Sequence, residues 1–264
     1  MLIAQISDLH LRPEGVLYQG EVDSNADFAR VIAHLNALSP QPAVILLSGD
    51  VVDEGQPAEY ATAQALLSQL KAPVFAIPGN HDAWGPFRDA FAAQPGLPAE
   101  GPFNYVIEDQ GSVRIVALDV TVPGRHHGEI TPAAMTWLAR TLSQDPVRPT
   151  LIMMHQPPFE CAIPYLDPYL CRNGQWLAEV VARYPNVDRV LCGHVHRAMQ
   201  RRFAGTIACS APSTTTTIAL QLSADAKPVS FHEPPGYLLH HWRDGALITH
   251  HVLVGDFPGP YPFA

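Results

Sequence analysis

Basic residues are scarce in this chain: 16 Lys and Arg stand against 25 Asp and Glu, for a net charge of −9. The only adjacent basic pair is Arg201-Arg202. The positive stripe that a nucleic-acid backbone requires is therefore missing, and a nucleic-acid polymer is excluded as a partner. Long apolar runs are missing as well. The longest fall far short of the roughly 20 residues that a spanning helix needs, so no membrane role is expected. Cysteine is limited to four residues. Cys192 and Cys209 lie in strand-like runs and read as core. Cys161 and Cys171 flank a Pro/Tyr-rich loop, which leaves a disulfide open, although a chain without a leader favours free thiols. No leader is expected, because the first residues enter a strand directly and a candidate ligand stands at position 8, so the expected compartment is the cytoplasm. Internal repeats and low-complexity linkers are absent too.

With 264 residues and 47% hydrophobic content, the chain can bury a large core as one domain, or as one domain with an elaboration. Five short apolar runs end in clusters of Asp, Asn and His. Leu2 to Ser7 leads to Asp8-Leu9-His10, and Ala43 to Ser48 to Gly49-Asp50. Val74 to Pro78 leads to Gly79-Asn80-His81-Asp82, Leu151 to Met154 to His155, and Arg189 to Cys192 to Gly193-His194-Val195-His196. Runs of this length, closed by Gly or Pro, read as strands buried on both faces. The carboxyl ends of buried parallel strands open on a shared crevice, so residues from position 8 to 196 can converge on one site.

Between these strands, helices are expected over 27–38, 57–70, 131–142 and 173–184, from helical spacing of apolar residues and from Pro57 and Pro132 at helix starts. The first 80 residues alternate strand and helix, which predicts βαβ units with right-handed crossovers. After His196 the strand-like runs 206–211, 215–222, 237–242 and 247–254 have few helices between them, which predicts a second, mostly antiparallel sheet packed on the first. The catalytic domain is expected over 1–228, with the loop 157–172 roofing the site. Residues 229–264 supply terminal strands and a Pro/aromatic tail. Phe231, Tyr237, Trp242, Phe257, Tyr261 and Phe263 in that segment read as interface material, and a homo-oligomer is expected.

Residues i and i+2 at a strand end share a face, so Asp8 with His10, and His194 with His196, can approach one centre. Asp50 has two carboxylate oxygens and can bridge two ions. Asn80 offers a carbonyl oxygen and His155 an imidazole. Mixed N/O donors without thiolate favour Mn, Fe, Co or Zn over a structural cysteine-type zinc site. Among the remaining histidines, His34, His232, His240, His241, His250 and His251 read as surface or satisfied core residues. Asp53 and Asp82 read as supports for ligands and loop. His126, His127, Arg12 and Tyr18 lie in segments near the site, with solvated loop residues as the plain alternative.

Asp8-x-His10, Gly49-Asp50-x-x-Asp53, Gly79-Asn80-His81-Asp82, His155 and Gly193-His194-x-His196, in this order, resemble the calcineurin-like metallophosphoesterase superfamily over essentially the whole chain. The stretches 17–26 and 166–174 are similar to its bacterial branch of glycerophosphodiesterases and class III cyclic-nucleotide phosphodiesterases. The resemblance implies an α/β fold, a four-layer αββα sandwich of two mixed sheets flanked by helices, and a dinuclear centre. One ion would take Asp8, His10, Asp50 and His196; the other would take Asp50, Asn80, His155 and His194. Where some relatives carry a substrate-facing histidine after the Pro212 turn, this chain reads Ala211-Pro212-Ser213-Thr214-Thr215-Thr216-Thr217, so Thr216 stands at the candidate substrate position.

The expected chemistry is hydrolysis of a small-molecule phosphodiester, a cyclic nucleotide or a glycerophosphodiester, by hydroxide activated on two metal ions and attacking phosphorus in line. Asp50, Asn80 and His81 form the catalytic group. Asn80, His81 and Thr216 face the substrate, and His81 stabilises developing charge or protonates the leaving oxygen, as its family counterpart would. No Ser or Cys nucleophile is required. The alternatives are a broad phosphomonoesterase on the same fold and a metal-free protein-binding scaffold; the second is disfavoured because every ligand position is filled.

Overall fold

The computed structural model describes residues 1–262; Phe263, one of the tail aromatics expected at an interface, and Ala264 lie outside the described residues. In chain order the strands are β1 (Leu2–Ile6), β2 (Val44–Ser48), β3 (Val74–Ile77), β4 (Tyr105–Ile107), β5 (Arg114–Ala117), β6 (Gly128–Glu129), β7 (Thr150–Met153), β8 (Cys171–Arg172), β9 (Val187–Cys192), β10 (Met199–Phe203), β11 (Thr206–Ser210), β12 (Thr217–Ile218), β13 (Ser230–Phe231), β14 (Gly236–Arg243) and β15 (Ala246–Leu253). The helices are α1 (Ser24–Ala37), α2 (Pro57–Leu67), α3 (Trp84–Ala90), α4 (Pro132–Gln144) and α5 (Gly174–Val181). Among the described residues no helix is long and apolar enough to cross a membrane.

The two-residue period of a strand sorts side chains into layers. In β2, Val44 and Leu46 enter a core shared with Leu151, Met153 and Leu191 of the other sheet. Ile45 and Leu47 face the other way, onto Phe28, Val31 and Leu35 of α1 and Tyr60 and Ala63 of α2. In the second sheet, Ile152 and Val190 pack on Leu138 and Leu142 of α4 and Leu177 and Val181 of α5. Three cores therefore separate four layers, helix, sheet, sheet and helix. The first sheet runs β15-β14-β1-β2-β3 and the second β10-β11-β9-β7-β5-β4. Both are mixed: β1, β2 and β3 are parallel, as are β5, β7, β9 and β11, while β14, β15, β4 and β10 join antiparallel.

Helix starts follow local chemistry. Asp23 accepts from the Ala26 N–H at 2.9 Å and caps α1. Thr131 caps α4 through the Ala134 N–H at 3.1 Å, with Pro132 at the first helical position. α3 was not expected; seven residues containing Gly85 and Pro86 are too short to display a helical period.

One expectation is corrected. The strands after His196 do not form a sheet of their own. β10 and β11 extend the sheet of β9, with β11 parallel to it, whereas β14 pairs antiparallel with β1, and β15 follows as the next strand. The run 215–222 contributes only β12, paired with β13. Alternation marks a strand but carries no record of which neighbour it joins, and hairpins closing opposite sheets read alike. Tyr237 is consequently buried in its own chain, its hydroxyl 3.0 Å from His34 Nδ1, and is not available to an interface. All four cysteines are free.

Candidate metal centre

The parallel strands β1, β2, β3, β7 and β9 all end at one side of the sandwich, and their following turns bring Asp8, His10, Asp50, Asn80, His155, His194 and His196 together. The turns are tight enough to force unusual backbone. Asp8, His10, Asp50, His194 and His196 all adopt left-handed φ, between 45° and 71°. Each such residue costs on the order of 1 kcal/mol, which surrounding packing must sustain. The preceding glycines are equally constrained: a Cβ on Gly49 would stand 2.3 Å from His155 Nδ1, and one on Gly193 would stand 2.0 Å from Ser7 Oγ.

Main-chain and hydroxyl contacts fix the side chains. Asp8 accepts from the His194 N–H at 3.0 Å, and Asp50 Oδ1 from the His81 N–H at 2.9 Å. His155 Nδ1 lies 2.7 Å from the Ser48 carbonyl and His196 Nδ1 lies 2.8 Å from the Thr216 carbonyl. Each carbonyl accepts the Nδ1 proton, so Nε2 is the nitrogen turned toward the centre and available to a metal there. The Pro-Ser-Thr turn braces the first loop: Ser213 and Thr215 donate their hydroxyls to the carbonyls of Asp8 and Leu9, each at 2.7 Å.

Three donor clusters result, two of which contain Asp50, while the third joins His10, Asp53 and His81. Asp8, His10, Asp50 and His196 offer ligand atoms within 4.8 Å of one another, and so do Asp50, His155 and His194. His10 Nε2 and His196 Nε2 are 3.1 Å apart, with Asp8 Oδ1 3.6 Å from the latter. In the second cluster His155 Nε2 is 3.2 Å from both Asp50 Oδ2 and Asn80 Oδ1. His194 Nε2 is buried with no hydrogen-bond partner among the described residues. Buried carboxylates, imidazoles and an amide oxygen without thiolate form a set that fits divalent cations. The residues form a candidate binuclear metal site with Asp50 in both halves.

Three of the four imidazoles are neutral donors and the fourth carries a proton that a cation would displace: against its burial, Asp50 and Asp8 raise His155 to about 9. Burial lowers His10, His194 and His196, the last to about 4, so these imidazoles are neutral donors at neutral pH. Burial pushes Asp8 up to about 6. Asp50, against the same burial, is held well below the ordinary carboxyl value by His155, His81 and His10. His81 moves the other way: burial opposes its protonation, but Asp50 and Asp53 raise it to about 10.

A cavity of about 720 Å³ opens over the centre. Asn80, His81 and Thr216 line it, as do Tyr18, stacked on His10 at 4.9 Å, and His126, whose Nδ1 is 3.4 Å from Asn80 Nδ2. Arg12 and His127 are not among its lining residues. Arg12 instead lies behind the site, where it pairs with Asp53, Glu54 and Glu59 at 2.8–2.9 Å. Asp53 in turn accepts at its carbonyl from His81 Nδ1 at 2.7 Å, so the ring's Nε2 is left free. Tyr165, Leu166 and Tyr169 of the loop 157–172, with Ile218 and Val229, supply an apolar wall that sequence reading did not single out. Irregular segments have no period to tell an inward side chain from an outward one.

A profile for calcineurin-like phosphoesterases matches residues 1–198. The chain belongs to this family. It is 32% identical to a probable glycerophosphodiester phosphodiesterase from Arcobacter nitrofigilis, over 100% of this chain and 97% of that one. It is 30% identical to a 3′,5′-cyclic-nucleotide phosphodiesterase from Nostoc sp., over 94% of this chain and 90% of the relative. Among solved structures, a dimetal phosphatase from Danio rerio shares the fold with a TM-score of 0.67 at 13% identity, over 97% of this phosphoesterase and 99% of that chain.

Proposed function

We propose that this phosphoesterase is a dinuclear metal-dependent phosphodiesterase acting on small-molecule phosphodiesters, with cyclic nucleotides and glycerophosphodiesters as the two substrate classes. The observation that carries the reading is the sharing of Asp50 between two donor clusters at the floor of one cavity. Relatives named for both substrate classes, aligned over nearly all of both chains, support it. Asp8, His10, Asp50 and His196 would hold one ion, and Asp50, Asn80, His155 and His194 the other, with Mn, Fe, Co or Zn as the candidates.

Bound there, two divalent ions supply Lewis acidity toward the phosphoryl group and acidify a water to near neutrality. The chain's own residues do the rest. Asp53 holds His81 by its Nδ1, which aims Nε2 as a donor to the leaving oxygen. Asn80 Oδ1 is shared between His155 and Gln156, whose amide Nε2 is 3.4 Å away, and Asn80 keeps its orientation through these contacts. The aromatic and aliphatic wall of Tyr165, Leu166 and Tyr169 accepts a neutral diester arm.

No Lys or Arg is among the cavity-lining residues, and Thr216 stands where an imidazole would add positive charge. A dianionic monoester would therefore lack a further cationic partner, so diesters are preferred over monoesters. Metal analysis of the purified protein, followed by kcat/KM on matched mono- and bis-p-nitrophenyl phosphates, tests this. Two ions per chain and a diester preference are expected. A preference of about tenfold for the monoester would replace the assignment with a phosphomonoesterase.

A further inference from the structure

Four strands form the edges of the two large sheets, and three of these edges are closed to pairing. At β3, the side chain of Gln94 acts as a substitute strand: Oε1 accepts from the Ala76 N–H at 2.7 Å, and Nε2 donates to the Ala76 carbonyl at 3.1 Å. β4 has only three residues. β10 carries exposed Arg201 and Arg202. Short length, charge and covering are the usual devices against edge-to-edge association. Among the described residues, β15 has only a partial cover, the Arg189 side chain at its Leu247 and Thr249 end. It is eight residues long, reads Ala-Leu-Ile-Thr-His-His-Val-Leu without Pro, Lys, Arg, Asp or Glu, and leaves Ile248 and Leu253 each 48% exposed.

The hydrogen-bond parity of this edge is fixed. Trp242 donates its N–H to the Met1 carbonyl, so the even residues of β14 bond toward the N-terminal strand and the odd ones toward β15. Arg243 pairs with Ala246, and Val254 donates to the Pro235 carbonyl at 2.7 Å. Even residues of β15 therefore bond inward, and Leu247, Thr249, His251 and Leu253 present their main-chain groups to the outside. At one end Arg189 Nη2 donates to the Leu247 carbonyl, which retains its second lone pair.

The sequence of the edge reads nearly the same in both directions about His250. An antiparallel copy centred there sets Leu247 opposite Leu253, Ile248 opposite Val252 and Thr249 opposite His251, with His250 facing its own counterpart. Apolar meets apolar and polar meets polar on both faces, and no residue of fixed charge opposes itself. The outward groups of the two strands would make about eight main-chain hydrogen bonds.

We propose that β15 is a homodimer interface: a second copy of this chain adds its own β15 antiparallel across a two-fold axis at His250, joining the two five-stranded sheets into one. The inference is independent of the proposed reaction.

Light scattering on the full chain at micromolar concentration should give twice the 28.8 kDa chain mass. Ile248→Lys, at an exposed position, should return the single-chain mass with an unchanged melting temperature. His250→Cys should form an intermolecular disulfide on mild oxidation, because position 250 faces itself in a pair that makes no main-chain bonds, where Cβ atoms approach to about 4.5–5.5 Å. The unsubstituted chain should not cross-link, nor should Ile248→Cys, which would face Val252. A monomeric full chain, or a dimer that survives Ile248→Lys without cross-linking through His250→Cys, would overturn the proposal.

Discussion

A Cβ added to Gly79 would stand 2.1 Å from Asp50 Oδ1 and 2.3 Å from the Asp50 main-chain nitrogen. The closeness follows from sheet register: β2 and β3 are parallel with Ser48 opposite Ile77, so the two turns that follow run side by side. The Asp50 main chain has nowhere to retreat, because its carbonyl accepts from the N–H groups of Leu9 and His10. Gly79→Ala should therefore displace Asp50, cost about 1–3 kcal/mol of stability and lower metal content. Calorimetry and metal analysis of the variant check this, and a melting temperature and metal content equal to the parent's would count against it.

Asp50 itself is the member common to the two clusters proposed to hold the ions. Asp50→Ala should lose both ions and abolish turnover while the three hydrophobic cores keep the chain folded. It also leaves the His81 N–H without its acceptor, a loss of about 1–2 kcal/mol that a domain of this size tolerates. Circular dichroism beside metal analysis separates the two effects. Two ions per chain and undiminished rates would remove the shared-ligand arrangement.

Much of this centre was legible because its residues sit at ends of strands whose apolar runs are visible in one dimension. Asp8 and His155 follow such a run directly, Asp50 and His194 follow one after a single glycine, and parallel pairing brings consecutive strand ends to one side. The surrounding contacts were less accessible. Nothing in the Thr-rich stretch 214–217 shows that Thr215 braces the Leu9 carbonyl or that the Thr216 carbonyl orients His196. Those roles use main-chain atoms or a hydroxyl that any sequence could offer, and depend on the approach of segments 206 positions apart for Thr215 and Leu9 and 20 apart for Thr216 and His196. For the same reason the destination of β14 escaped alternation: its pairing with β1 is a long-range choice between two sheets.

His81 separates binding from chemistry. Its Nδ1 is engaged by the Asp53 carbonyl, and its ring is no part of either cluster that contains Asp50. His81→Ala should keep its metal and lower kcat on diesters with poor leaving groups by about 10²-fold or more, with a smaller loss on p-nitrophenolate esters. The comparison is a leaving-group series at one pH and metal loading. Losses of equal size across the series would restrict His81 to stabilising charge.

His240 gives the fold a pH dependence that is separate from the metal centre. It is fully buried between the sheets, with Nε2 3.1 Å from Gln5 Oε1 and Nδ1 2.9 Å from Thr249 Oγ1. Burial, with Arg189 adding to it, lowers its pKa to about 3. The unfolded chain binds a proton there near the ordinary value of about 6.5, whereas the folded chain does not, so the unfolded state holds more protons between these values. Stability is then fully present above about pH 6.5 and is lost as pH falls, with a slope approaching about 1.4 kcal/mol per unit until about pH 3. His240→Gln keeps an amide to meet Gln5 and Thr249 but cannot titrate. Urea unfolding at pH 7 and pH 5 should show the variant losing about 2 kcal/mol less than the parent over that interval. Carboxylates and metal ligands titrate in both chains alike and cancel in the difference. Equal losses in the two chains would mean that His240 accepts its proton in the folded state, and that the core between the sheets is open to water at that point.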